Sequence, residues 1–64
     1  MRFRYFEPGP NGEHIEVIVT EAEVMQNYYP MWKQRMQDVG KADLISVENC
    51  LADFQTVHWA EREE

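Results

Sequence analysis

The sequence predicts one α+β domain: a β-hairpin, a Pro-kinked helix, a short helix and a third strand, in the order ββααβ. Three observations predict it. Two stretches, Met1 to Glu7 and His14 to Thr20, alternate apolar and polar residues around a Pro/Gly/Asn cluster. Met25, Tyr28, Trp32, Met36 and Val39 then recur at steps of three and four, one stripe of a helix. A third alternating segment, Phe54 to Ala60, follows near the end. An isolated hairpin is marginal in water, so the third strand is expected to join it. The expected sheet is three-stranded and antiparallel in the order 2-1-3, with the helix on one face; parallel pairing of the third strand is the alternative.

In the first strand Phe3 and Tyr5 share one face, and Arg2, Arg4 and Phe6 share the other. Pro8-Gly9-Pro10-Asn11-Gly12 removes backbone donors and favours positive φ, which makes a turn. In the second strand Ile15, Val17 and Val19 lie on one face, and His14, Glu16 and Ile18 on the other. Thr20 and Glu23 have the spacing of a capping box, which starts the helix. Pro30 lies inside the stripe, so it either kinks the helix or opens a second segment. Gly40 is placed to end it. Ser46 caps a short helix of about six residues through Val47, Cys50 and Leu51. The third strand is read at Phe54 to Ala60 from its alternation and β-branched content. Residues 61–64 read as a frayed, solvated tail. The expected core is Phe3, Tyr5, Ile15, Val17, Val19, Val57 and Trp59 against Met25, Tyr28, Trp32, Met36 and Val39. Leu44, Ile45 and Leu51 are expected to close one end.

The chain has 64 residues, 12 acidic and 6 basic, for a formal charge of −6, and one cysteine. Residues 1–64 make one domain. A chain of this size buries only about 60% of its unfolded surface, so its stability is marginal. Its 44% hydrophobic and 12% aromatic content separates it from disordered chains. A lone Cys50 cannot form an internal disulfide, which points to a reducing, cytoplasmic setting. The opening residues lack the long apolar run of a signal peptide, and no run is long enough for a membrane span. The acidity argues against direct binding to a phosphate backbone and suits a basic partner.

His14, His58 and Cys50, with Glu16 or Asp53, are the residues a metal site would use. None has a ligand spacing such as C-x-x-C or H-x-x-x-H, and the two histidines fall on strands that are not expected to be neighbours. Cys50 and His58 could pair as nucleophile and base, but a cysteine on the inner side of a helix is ordinarily a small hydrophobe. No phosphate loop or nucleophile elbow is present. The carboxylates are dispersed. The expectation is a non-enzymatic chain with no cofactor and no metal site.

The aromatic residues carry more information. Tyr28, Tyr29, Met31 and Trp32 surround Pro30, and one stripe cannot hide them all. Tyr29, Met31, Phe6 and Phe54 are the expected interaction surface, because they fall on faces the helix leaves open. Met1 to Glu7, Leu44-Ile45-Ser46, Glu48-Asn49-Cys50 and Val57-His58-Trp59-Ala60 resemble stretches in short, acidic, uncharacterised proteins of marine cyanophages and ocean metagenomes. That resemblance implies a phage accessory protein acting in the bacterial host cytoplasm; it implies no activity and no site residues. The leading expectation is therefore a small acidic interaction module with a protein partner or a second copy of itself. An alternative is a DNA-mimic inhibitor of a nucleic-acid-binding protein. A small metal-binding or enzymatic domain using His14, His58 and Cys50 is the third reading.

Overall fold

The computed structural model describes residues 1–63. Strand β1 (Arg2–Pro8) and strand β2 (His14–Thr20) form an antiparallel hairpin, pairing Phe3 with Val19 and Tyr5 with Val17. Glu13 and Gly12 close the loop: Gly9 N–H donates to the Glu13 carbonyl at 2.7 Å, and Gly12 takes a φ of 81°. Helix α1 (Glu21–Asn27) starts on the predicted capping box, in which Thr20 Oγ1 accepts from Glu23 N–H and Glu23 Oε1 accepts from Thr20 N–H. Helix α2 (Tyr29–Asp38) follows directly, with Pro30 in its first turn. Pro30 thus splits the helix: its missing N–H falls where a new helix has no partner for it. The break sits at Tyr28.

The larger revision concerns residues 47 to 63. Helix α3 (Val47–His58) is twelve residues long, not six, and takes up most of the expected third strand. Ser46 caps it as predicted, accepting from Asn49 N–H at 3.1 Å. Strand β3 (Glu61–Glu63) is instead made from residues read as a frayed tail, of which Glu64 lies outside the described residues. It pairs antiparallel with β1, giving the sheet order β2-β1-β3. The topology is the predicted one, reached with a different segment. A helix is favoured over 47–58 because Cys50, Leu51 and Phe54 recur at helical spacing and all three are buried. Thr56 is accommodated by donating its hydroxyl to the Ala52 carbonyl at 3.0 Å.

This change moves the core. Phe3, Val24, Leu51, Phe54 and Ala60 form its centre, with Tyr5, Val19, Met25 and Tyr28 half-buried around it. Trp32 and Cys50 are also buried. Val57 and Trp59, expected inside, are exposed: Val57 lies on the outer side of α3, and Trp59 follows its last residue on a left-handed backbone. Ile15 is exposed toward the loop end of the hairpin, and Val39 and Leu44 are exposed beyond α2. The helices cover only one face of the sheet. On the other, Arg4 lies between Glu61, Glu63 and Glu16, at 2.6, 3.9 and 3.8 Å. The hydrogen bond to Glu61 and the surrounding carboxylates push the Arg4 pKa further up. Among the described residues no helix is long and apolar enough to cross a membrane.

Candidate functional site

Two features on the helix-covered side stand out. The first is an aromatic cleft between the hairpin and α1. Tyr5 comes from β1, Tyr28 from the α1–α2 junction and Phe54 from the buried side of α3. The Tyr5 and Tyr28 rings stand edge-on to Phe54, at 5.8 and 5.1 Å between centroids and at 82° and 79°. Val19, Glu23 and Asn27 complete a pocket of about 240 Å³. Both tyrosines are held in place. Tyr28 O–H donates to Asp53 Oδ2 at 2.6 Å, and Arg35 lies 3.5 Å from the same oxygen. Burial first, and then the bond to Asp53, push the Tyr28 pKa up to about 12. The Tyr5 ring packs against His58 at 4.9 Å, and His58 in turn stacks on Phe54 at 4.2 Å. Burial, and then the nearby Glu7 carboxylate, raise the Tyr5 pKa.

The second feature is the end of α3. Trp59 takes φ 55° and ψ 38°, the left-handed region, and its side chain is 91% exposed. Its N–H donates to the Thr56 carbonyl at 3.4 Å, and Ala60 N–H to the Gln55 carbonyl at 2.9 Å. These are the two hydrogen bonds of a Schellman closure, with Trp59 in the position that usually holds glycine. Ala60 is drawn into the core while Trp59 is turned out.

The four residues expected to form an interaction surface do not form one patch. Phe6 is 55% exposed, on the open sheet face with Ile18. Met31 is exposed on α2, and Tyr29 is half-buried 6.0 Å from Trp32. Phe54 is corrected outright: it is 5% exposed, because residue 54 belongs to α3 and faces the core. A strand over 54–60 places Trp59 in the core. The helical spacing of Cys50, Leu51, Phe54 and His58 is the signal that would have placed it outside.

The chemistry-bearing residues are dispersed as well. His14 is exposed on β2, while His58 Nδ1 donates to the Phe54 carbonyl at 3.0 Å. Cys50 is buried, and that burial, followed by the Asp53 charge, pushes its thiol pKa up. A thiol so placed stays protonated at neutral pH. Among the described residues no group of three or more His, Cys, Asp or Glu side chains is placed to hold a metal ion. Comparison with protein-family models, with curated proteins and with solved structures found no match to this chain.

Proposed function

We propose that this chain is a small, non-enzymatic, acidic protein-interaction module, and that Trp59 is its principal contact. The observation that supports this is the 91% exposure of an indole held on a left-handed backbone. A tryptophan in that position gains almost nothing from burial in its own fold, and the backbone conformation costs about 1–2 kcal/mol. Tryptophan is among the residues most enriched at the energetic centres of interfaces. Val57, also exposed, lies on the same helix end. The resemblance to cyanophage proteins makes a bacterial host cytoplasm the place to look for the partner.

The anion-mimic alternative has less support. Glu16, Glu61 and Glu63 face Arg4, Arg2 also pairs with Glu63, and Glu48 faces Arg62. These four carboxylates are therefore balanced locally rather than arrayed for a basic groove.

The test is affinity capture from bacterial lysate with the wild-type chain and with Trp59→Ser, alongside sedimentation of the purified chain. The reading expects a saturable partner, or a dimer, that is lost with Trp59→Ser while circular dichroism is unchanged. Identical capture and identical mass for the two proteins contradict it.

A further inference from the structure

We propose that the Tyr5–Tyr28–Phe54 cleft receives one basic side chain, lysine or arginine, from the partner's chain. The inference rests on the interaction reading above and adds what the partner presents. The cleft is too small for a larger ligand: about 240 Å³ lies below the roughly 300 Å³ at which small-molecule pockets begin. It suits a single long side chain. Tyr5, Tyr28 and Phe54 line it beside Val19, Val24 and Asn27, and aromatic rings attract ammonium and guanidinium groups through the ring quadrupole.

Charge points the same way. Glu23 lines the cleft, and its capping hydrogen bonds go to one oxygen, Oε1. Among the described residues, no Lys, Arg or His forms an ion pair with Glu23. Glu7 adds a second carboxylate near the Tyr5 phenol. Arg35 lies beside the Tyr28 hydroxyl and pairs with Asp53 Oδ2 at 3.5 Å. The chain as a whole carries a charge of −6. Preorganisation supports binding too. Asp53 fixes the Tyr28 hydroxyl and His58 braces Tyr5, so the rings need little ordering when the side chain enters.

The experiment is an NMR titration of the intact chain with three capped amino acids: Nα-acetyl-lysine methylamide, its arginine analogue and its norleucine analogue. Norleucine has the apolar stem without the charge. The proposal expects saturable shifts at Tyr5, Asn27 and Tyr28 with lysine or arginine, and at least about fivefold weaker binding of norleucine. Glu23→Gln preserves the capping box, so it tests charge without unfolding α1, and should weaken binding about two- to fivefold. Tyr5→Leu should weaken it similarly. Equal binding of norleucine overturns the proposal and assigns the cleft to an apolar side chain. No shift with any probe also overturns it. Either result leaves the Trp59-dependent capture standing, so failure here is separable from failure of the interaction reading.

Discussion

Helices α2 and α3 close with the same hydrogen-bond pattern but with opposite residues at its critical position. After α2, Gly40 N–H donates to the Gln37 carbonyl at 3.1 Å and Lys41 N–H to the Met36 carbonyl at 2.8 Å. After α3, Trp59 and Ala60 make the equivalent bonds. Gly40 sits at φ 76° and Trp59 at φ 55°. Glycine adopts this conformation without steric cost, whereas a residue with a Cβ does not. The difference lies in what surrounds each end. Lys41 is exposed, and the chain after it is held by a local turn, with Leu44 N–H donating to the Lys41 carbonyl at 3.0 Å, and by no buried residue. Ala60 is buried, and the chain passes at once into β3, so the α3 end is clamped on both sides. A clamped backbone can hold a strained residue, and the one it holds is directed entirely into water. Strain held in place by neighbours on a residue 91% exposed is what motivates the contact role proposed for Trp59.

The largest expected effect breaks the clamp. Phe54→Ala removes the ring against which Phe3, Tyr5, Tyr28 and His58 all pack. It should cost about 3–5 kcal/mol, enough to unfold much of a chain this small in a urea titration. Phe54→Leu should cost under about 1.5 kcal/mol and leave the fold intact for binding assays. The next test is the glycine end. A Cβ at Gly40 would meet open space, so Gly40→Ala isolates the conformational term. A loss of about 1 kcal/mol is expected from the left-handed backbone alone.

A smaller, pH-dependent effect reports how firmly α3 is held to the α1–α2 junction. The Tyr28 pKa is raised from 10.0 to about 12, so folding favours the neutral phenol. Its contribution is complete below pH 10 and lost as the pH rises through about 12. Tyrosinate absorbance should therefore show a tyrosine titrating near pH 12, which is absent in Tyr28→Phe. Asp53→Asn should move that titration to lower pH, because it removes the charge facing the phenol.

The hairpin, both helix caps and the position of the Pro30 break were legible in the sequence, because each depends on neighbours within a few residues. The extent of α3 was not. Gln55-Thr56-Val57 has the β-branched character of a strand, and only the burial of Cys50, Leu51 and Phe54 together decides for helix. Strand β3, Glu-Arg-Glu, has no apolar residue to announce it. It is placed by register with β1 and by cross-strand charges, Glu61 with Arg4 and Glu63 with Arg2. The surplus of aromatics over one helical stripe was visible, and Phe6 and Met31 are indeed exposed. The cleft was not visible, since its three rings come from segments far apart in sequence. Trp59 was hidden by the strand reading, which placed it inside.

The account holds that Trp59 is present for contact and not for folding. The most direct test is the urea midpoint of Trp59→Gly, followed by far-UV circular dichroism. Glycine relieves about 1–2 kcal/mol of backbone strain and adds about 0.5–1 kcal/mol of unfolded-state entropy. The account predicts a midpoint at or above that of the wild type. A midpoint lowered as far as in a core truncation would contradict it, because the indole would then be holding the fold together.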